Sequence, residues 1–374
     1  MDGERRAPIR RWQQERMIVI VGAGPAGLAL AHELQRRGVD YRVLERGVVG
    51  ESWRNHYDRL HLHTLKEVSG LPGLAMPDAY PSFPAGIQFH RYLARYAKEQ
   101  GLNIETGVTV ERATFAGARW HLATNRGARE AATLVVATGI WSTPQRAHFP
   151  GEGAFGGAIL HARDYRNADP FAGRRVLVVG AGNSGSDIAI DLREHGVETA
   201  IAIRDGVAFV PRPTSPLAMR AAAWLLRVLP RAVAERLLRR RDFGDIGLPS
   251  PPGSPLDHFP VVGYELPQAI AAGRVRRYGA IARFLPGAVR FADGREYACD
   301  AVILATGYRP TLDFVAHELQ LDSDGRPRLD REWRALGNPQ LYCVGFWYPT
   351  TEGWLQAIGR VVRTAARAIE RQTC

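Results

Sequence analysis

Two glycine-rich hexapeptides carry the clearest chemical signal in the sequence. The first, residues 22–27, has the spacing G-x-G-x-x-G and follows a β-branched run. In this fingerprint the first glycine allows a tight turn, the second lets backbone amides approach a pyrophosphate, and the third lets a helix pack closely on a strand. The pyrophosphate then lies at a helix N-terminus, where free N–H groups and the helix dipole favour an anion. We therefore predict a dinucleotide site formed by Gly22, Gly24, Pro25, Ala26 and Gly27.

A carboxylate and a guanidinium distinguish two such sites. Glu45 follows 23 residues after Gly22, where a carboxylate accepts hydrogen bonds from ribose hydroxyls and repels a 2′-phosphate. The second hexapeptide spans 180–185, and Arg204 takes the corresponding place 24 residues after Gly180. A guanidinium there favours a dianionic 2′-phosphate through charge and bidentate hydrogen bonds. We predict FAD or NAD in the first site and NADPH in the second, whose residues are Gly180, Gly182, Asn183, Ser184, Gly185 and Arg204.

Each hexapeptide stands between a short β-branched run and an apolar helical pattern, which predicts strand, tight turn, helix and strand. The first unit starts at Ile18 and the second at Arg175. Short apolar strands joined in this way are typical of a parallel sheet covered on both faces. Two further strands end in Ala-Thr-Gly, at 137–139 and 305–307, and each is expected to close the sheet of its own unit. The predicted fold class is α/β, with two Rossmann-like dinucleotide-binding domains.

The order of these elements predicts a discontinuous first domain. We assign residues 1–170 and 307–374 to an FAD-binding domain and residues 171–306 to an inserted NADP-binding domain. A helical, arginine-rich insertion around 214–258 interrupts the second domain, and Pro230 breaks its apolar stripe. We interpret this insertion as a lid over a site or as a homodimer surface. Both are favoured over a helix on a membrane, because several of its apolar positions are needed for packing.

Composition limits the classes of protein that fit. The chain has 374 residues and a net charge of +11, but nearly all its basic residues are arginine and the longest basic run is Arg239–Arg241, so no nucleic-acid partner is expected. Cys299, Cys343 and Cys374 are too few and too scattered for a disulfide framework or a zinc site, and no metal site is predicted. No apolar run of about 18 residues and no signal-like segment is present, so we expect no membrane span and a cytoplasmic protein.

The stretch between the two fingerprints indicates the class of protein. Phe155, Gly157, His161 and Tyr165 fit the pattern F-x-G-x-x-x-H-x-x-x-Y, just ahead of the second fingerprint. In this respect the sequence resembles the class B flavin-containing monooxygenases, which carry that string before their NADP-binding fingerprint. Because the string links the two domains in the family, His161 is interpreted as an interdomain hydrogen-bonding residue, with an acid–base catalyst as the alternative.

The resemblance covers nearly the whole chain and is greatest to the YUCCA-type, auxin-forming branch. Trp53, the segment 57–66 and the Ala-Thr-Gly-Tyr signature at 305–308 are similar to that branch. Animal-type members carry asparagine where this chain has His63, which makes His63 a candidate for a hydrogen bond beside the flavin, with a satisfied core histidine as the alternative. The flavin site predicted on this basis also includes Arg46, Trp53, Val108, Thr138, Gly139 and Gly345.

The resemblance implies an FAD- and NADPH-dependent monooxygenase. NADPH would reduce the flavin, which would then form a C4a-(hydro)peroxide with oxygen while the protein orients and desolvates it. The implied partners are molecular oxygen and a small organic substrate, either a 2-oxo acid such as indole-3-pyruvate or a soft nitrogen or sulfur nucleophile. The alternatives are a pyridine-nucleotide disulfide reductase, which needs a close cysteine pair that this sequence lacks, an oxidase that releases only peroxide, and a nucleotide sensor without turnover.

Overall fold

Two open sheets, one around each fingerprint, form the framework of the molecule. The computed structural model describes residues 17–238, 243–249, 251, 253–254, 259–346 and 354–373. The predicted α/β class with two Rossmann-like units is confirmed, since each fingerprint follows a central strand of a sheet whose main strands run parallel.

The first sheet is centred on Ile18–Val21. This strand pairs in parallel with Tyr41–Glu45 on one side and Thr133–Val136 on the other. All four of its residues are buried, as a strand covered on both faces requires. The strand leading to the first Ala-Thr-Gly therefore belongs to the sheet of its own unit, as predicted. Across the sheet the strands are Arg334–Ala335, Asn338–Cys343, Thr133–Val136, Ile18–Val21, Tyr41–Glu45 and Ile104–Thr106, and only Arg334–Ala335 is antiparallel to its neighbour.

The second sheet is centred on Arg175–Val179. This strand pairs in parallel with Glu198–Ala202 and Ala301–Leu304, so the second Ala-Thr-Gly strand also belongs to the sheet of its own unit. Its edge strand, Ala158–His161, comes from the range 1–170 that we assigned to the first domain. It joins the second sheet because it pairs the backbone groups at the otherwise free edge of Ala301–Leu304. The strand order is Arg276–Tyr278, Glu198–Ala202, Arg175–Val179, Ala301–Leu304 and Ala158–His161.

Helices and small sheets cover the faces of both sheets. Ile18 and Ile20 pack among helices, whereas Val19 and Val21 face a second core that contains Trp120. The helices are Pro25–Gln35, Glu51–Arg54, Lys66–Ser69, Gly86–Glu99, Asn183–Glu194, Pro216–Val228, Arg231–Leu238, Glu265–Ala271 and Trp354–Thr373, with 3-10 turns at Glu152–Ala154, Asp169–Phe171, Gly244–Ile246 and Ala316–Glu318. The small sheets are Val110–Ala116, Arg119–Thr124 and Arg129–Ala131; Ile281–Leu285, Ala288–Phe291 and Glu296–Ala298; Phe209–Val210 with Val261–Val262; and Thr143–Pro144 with Tyr308–Arg309.

The insertion is helical in its described part. Ser215 caps its first helix by accepting a hydrogen bond from the Ala218 amide at 3.1 Å, and Pro230 separates the two helices. Of its apolar side chains, Met219 and Leu226 are partly buried, whereas Leu217 and Trp224 are 78% and 65% exposed. Arg239–Arg241 lie outside the described residues. Within the described ranges, no helix is both long enough and apolar enough to cross a bilayer.

Candidate cofactor sites and active site

The first fingerprint forms a tight turn with one open position. Gly22 has a φ of +110°, and a Cβ there would lie 2.7 Å from the carbonyl oxygen of Ala137. A Cβ at Gly27 would lie 1.9 Å from the carbonyl oxygen of Gly22. A Cβ at Gly24 would meet no atom within 4 Å. Two of these glycines are therefore required by the turn itself, and Gly24 faces open space at a helix N-terminus, where the pyrophosphate of FAD fits.

Glu45 orders the loops beside this turn. Its Oε2 accepts a hydrogen bond from the Ala23 amide at 2.7 Å, and its Oε1 accepts one from the Gly47 amide at 2.9 Å. An ionised carboxylate has about four acceptor positions, so two remain for ribose hydroxyls. The structure thus adds an ordering role to Glu45, and the ribose contact stays a prediction.

Several other residues predicted for the flavin site gather at the same edge of the first sheet. Thr138 and Gly139 follow strand Thr133–Val136, and Gly345 lies two residues beyond Cys343, which ends the neighbouring strand. The carboxyl ends of parallel strands meet at one edge, which is where ligands bind in open α/β sheets. The Thr138 hydroxyl donates to the carbonyl of Thr311 at 3.1 Å, so this edge also touches the later part of the chain.

The remaining predicted flavin residues differ in exposure. Trp53 lies edge-on against Phe89 with ring centroids 4.5 Å apart. Val108 is buried, and its amide donates to the carbonyl of Glu45 at 2.9 Å. Arg46 is exposed. Trp53 and Val108 therefore pack within the first unit, whereas the Arg46 side chain lies at the surface.

The second fingerprint repeats the geometry of the first. Gly180 has a φ of +101°, and a Cβ there would lie 2.6 Å from the carbonyl oxygen of Ala305. A Cβ at Gly185 would lie 1.9 Å from the carbonyl oxygen of Gly180, whereas one at Gly182 would meet no atom within 4 Å. Both turns therefore hold an open glycine at the N-terminus of a helix, and the residues present fit a second dinucleotide.

The polar residues of the second site already have protein partners. Asn183 donates from Nδ2 to the carbonyl of Pro260 at 3.1 Å and accepts at Oδ1 from the Val262 amide at 3.2 Å, which fixes the turn to that segment. Arg204 is 80% exposed, and its Nε lies 2.6 Å from the Asp205 carboxylate. Because an exposed ion pair contributes little to stability, the Arg204 guanidinium can exchange this partner for a 2′-phosphate.

The two units meet where the segment after Trp53 reaches the second fingerprint helix. The Tyr57 hydroxyl donates a hydrogen bond to Asp187 Oδ2 at 3.0 Å, and His63 Nε2 lies 3.9 Å from the same oxygen. Burial, followed by the negative charge of Asp187, raises the pKa of the Tyr57 hydroxyl well above its usual value, so it remains a neutral donor. His63, predicted beside the flavin, thus lies near the second fingerprint helix.

Packing accounts for three of the four defined positions of the motif at 155–165, which links the two fingerprints. Phe155 is 1% exposed in the core of the second sheet, and a Cβ at Gly157 would come within 2.7 Å of the Asp300 carbonyl oxygen. The Tyr165 hydroxyl, also buried, donates to Asp191 Oδ2 at 2.6 Å. These positions of the motif therefore anchor the connecting segment to the second unit.

His161, the remaining defined position of the motif, joins the two places where the chain passes between the sheets. Its Nδ1 accepts a hydrogen bond from the Arg163 amide at 3.1 Å, so the ring proton is on Nε2, which donates to the Gly307 carbonyl at 3.1 Å. Burial lowers the pKa of His161, although the bond to Gly307 acts in the opposite direction, and the ring is neutral at pH 7. Both ring nitrogens are occupied by backbone groups in this arrangement.

An acidic face on the second fingerprint helix was missed from the sequence. Three of its carboxylates each contact a side chain from outside that helix. One of the three, Glu194, forms an ion pair with Arg59. The available signal was spacing, because residues four and three apart lie on one face of a helix. The pairs are Asp187 with Tyr57, Asp191 with Tyr165, and Glu194 with Arg59.

The two cysteines in the described residues are unsuited to redox exchange. Cys299 and Cys343 are buried in different cores, and Cys374 lies outside the described residues. Burial raises the pKa of the Cys299 thiol to about 12, which keeps it protonated and unreactive. In the part of the chain that the structure describes, no three His, Cys, Asp or Glu side chains are grouped to hold a metal ion.

Sequence comparison decides the family. A profile described as pyridine nucleotide-disulphide oxidoreductase matches residues 19–224. Indole-3-pyruvate monooxygenase YUCCA1 of Oryza sativa subsp. japonica is 37% identical over 350 residues, which cover 88% of this chain and 86% of that protein. The chain belongs to the flavin-containing monooxygenase family. A second YUCCA-type relative, probable indole-3-pyruvate monooxygenase YUCCA7 of Arabidopsis thaliana, is 34% identical over 360 residues, covering 88% of this chain and 82% of that protein.

Solved structures agree with membership of the flavin-containing monooxygenase family. The flavin-containing monooxygenase from Stenotrophomonas maltophilia has a TM-score of 0.75 and 26% identity, covering 96% of this chain and 100% of that one. The bacillithiol disulfide reductase from Bacillus cereus, at 20% identity and a TM-score of 0.73, shares the fold alone. The chain is an FAD- and NADPH-dependent monooxygenase, so the predicted family, cofactors and enzyme class are confirmed.

Proposed function

We propose that this monooxygenase oxidatively decarboxylates an aromatic 2-oxo acid such as indole-3-pyruvate. The observation that carries the proposal is the similarity, over most of both chains, to relatives whose names state that substrate. The balanced reaction consumes the 2-oxo acid, O2, NADPH and a proton. It yields the carboxylic acid one carbon shorter, CO2, NADP+ and water.

The proposed division of labour follows the two sites. Residues 1–170 and 307–374 would hold FAD and residues 171–306 would hold NADPH, with strand Ala158–His161 added to the second unit. When bound, the flavin supplies hydride acceptance from NADPH and activation of oxygen. The open positions at Gly24 and Gly182 receive the pyrophosphates of the two nucleotides.

The side chains proposed to act in this reaction orient the nucleotides and the reacting groups. Glu45 would accept hydrogen bonds from the ribose of FAD while it orders the fingerprint turn. Arg204 would bind the 2′-phosphate of NADPH. His63, held near Asp187, would donate a hydrogen bond where the two nucleotides meet. His161 would act as a positioning residue, because both of its ring nitrogens bind backbone groups.

We also propose that the protein works in the reducing environment of the cytoplasm. The support is chemical: Cys299 and Cys343 are free thiols in separate cores, and neither contributes to a disulfide. Proteins of oxidising compartments commonly use their cysteines as disulfides.

The test of the substrate is a product assay under oxygen-18 gas. Enzyme loaded with FAD and supplied with NADPH is given indole-3-pyruvate, phenylpyruvate, a tertiary amine and a thioether in separate reactions. We expect the shortened acid from a 2-oxo acid, with one labelled oxygen in its carboxylate. An N-oxide or sulfoxide, with no shortened acid from either 2-oxo acid, would overturn the substrate proposal and leave the monooxygenase class intact.

A further inference from the structure

The first helix of the insertion carries an exposed apolar stripe, which we define as Leu217, Trp224, Leu225 and Val228. Their exposures are 78%, 65%, 42% and 54%. Leu217, Trp224 and Val228 are separated by seven and four residues, so they share one face of helix Pro216–Val228. The described residues include ten exposed large apolar side chains. Five of these ten lie on the two helices of the insertion: the four of the stripe and Val233 on the second helix.

The opposite side of the same helix is the one that the protein covers. Met219 and Leu226 are partly buried and lie on the face away from Leu217 and Trp224. The helix therefore packs inward through one set of apolar residues and presents a second set to solvent. Contiguous exposed apolar surface of this kind marks an interaction site.

The charge around the stripe is basic. The sequence 216–238 contains four arginines and one glutamate, and Arg220 is exposed one turn from Leu217. Amphipathic helices with arginine on the polar side, and tryptophan or leucine on the other, lie in the plane of a bilayer surface. Helix Pro216–Val228 has 13 residues and thus a length of about 20 Å, too short to span the hydrocarbon core.

We propose that the helix pair Pro216–Val228 and Arg231–Leu238 docks the enzyme on an anionic lipid surface. The apolar stripe enters the boundary between headgroups and acyl chains, and the exposed Arg220 contacts anionic headgroups. A second copy of this chain is a less favourable partner for the stripe. Two-fold packing of the stripe would bring the positively charged Arg220 side chains of the two copies towards each other. The inference is independent of which substrate the enzyme oxidises.

Vesicle flotation of the FAD-loaded enzyme tests the proposal. We expect binding to vesicles of phosphatidylcholine mixed with phosphatidylglycerol, and much weaker binding to phosphatidylcholine alone or at high salt. The double variant Leu217→Ser/Trp224→Ser should bind the mixed vesicles at least about tenfold less, since it removes the largest exposed apolar side chains. Arg220→Ala should weaken binding to the mixed vesicles and leave binding to pure phosphatidylcholine vesicles unchanged.

A matched control distinguishes binding through the stripe from nonspecific binding through any exposed apolar side chain. The double variant Leu321→Ser/Leu336→Ser removes two exposed leucines elsewhere, at 39% and 42% exposure, and should bind like the parent. Flavin content and thermal melting of each variant verify the fold.

Three results would overturn the proposal. The first is that the parent enzyme does not float with the vesicles, and the second is that the stripe variant binds them as well as the parent does. The third is that the parent does not bind vesicles but forms a concentration-dependent dimer, which the stripe variant does not form.

Discussion

The hydroxyl of Tyr57 and the carboxylate of Asp187 form a 3.0 Å hydrogen bond between the segment that follows Trp53 and the second fingerprint helix. The donor is 4% exposed, so this bond forms where water competes little. Asp187 is also the carboxylate nearest to His63 Nε2, at 3.9 Å. One side chain of the second unit therefore binds Tyr57 and lies close to His63, both from the first unit.

Replacing Tyr57 with Phe should reduce stability by about 1–3 kcal/mol, because Asp187 loses its buried donor. Asp187→Asn keeps an acceptor at the same place and should cost less. The free energy of unfolding of FAD-loaded protein, followed by urea titration, provides the measurement. Equal stability of Tyr57→Phe and the parent would show that the bond contributes nothing to holding the two units together.

The two open glycines provide a matched pair of variants. Gly24 and Gly182 have backbone angles that any residue can adopt, and a Cβ at either would touch no atom of the protein. Gly24→Ala should therefore fold normally but lose FAD, because the methyl group fills the space for its pyrophosphate. Gly182→Ala should keep FAD and bind NADP+ more weakly. Visible absorbance reports flavin and equilibrium dialysis reports NADP+, and unchanged binding by both variants would contradict the assigned sites.

Arg204 should determine the preference for NADPH over NADH. Removing a charge-assisted contact to phosphate costs about 1.5–3 kcal/mol, so Arg204→Ser should weaken NADPH binding roughly 10- to 100-fold. NADH binding should change little. Asp205→Asn frees the Arg204 guanidinium from its partner and should keep or strengthen NADPH binding. Dissociation constants for both nucleotides give the ratio, and an unaltered ratio in Arg204→Ser would assign the 2′-phosphate to another residue.

Stability should fall as pH decreases from about 6.5 to about 4. Burial, together with the charges of Arg163 and Arg166, lowers the pKa of His56 to about 4. The unfolded chain binds a proton at His56 near pH 6.5, whereas the folded state does so only near pH 4, so the unfolded state is favoured across that interval. The lowered pKa of His161 acts in the same direction.

The check is the slope of unfolding free energy against pH. His56→Gln should flatten this slope between pH 6.5 and pH 4, and the exposed-site control His148→Gln should leave it unchanged. An identical slope in His56→Gln and the parent would exclude His56 as a source of the acid sensitivity.

The nucleotide turns were predictable from sequence because their requirements are local. Gly22 and Gly27 are fixed by contacts within a few residues or with the adjacent strand, and the same holds for Gly180 and Gly185. The same repeated unit predicted that each Ala-Thr-Gly strand joins the sheet of its own unit. These features depend on short-range geometry, which a sequence pattern records directly.

Contacts between the two units were beyond the sequence. Tyr57 and Asp187 are 130 residues apart, and their meeting depends on how one sheet is oriented against the other. The exposed face of the insertion was beyond the sequence for a related reason. Helical spacing identifies Leu217 and Trp224 as one face and Met219 and Leu226 as another, but it does not say which face the protein covers.

The chain leaves the first sheet for the second and later returns, and the bond from His161 to Gly307 ties the outgoing strand to the returning one. The two chain connections between the units lie next to each other, so they restrict sliding of one unit along the other more than rotation. We therefore expect any movement that separates the two units to leave the His161–Gly307 contact in place. The Tyr57–Asp187 bond is a further contact between the two units.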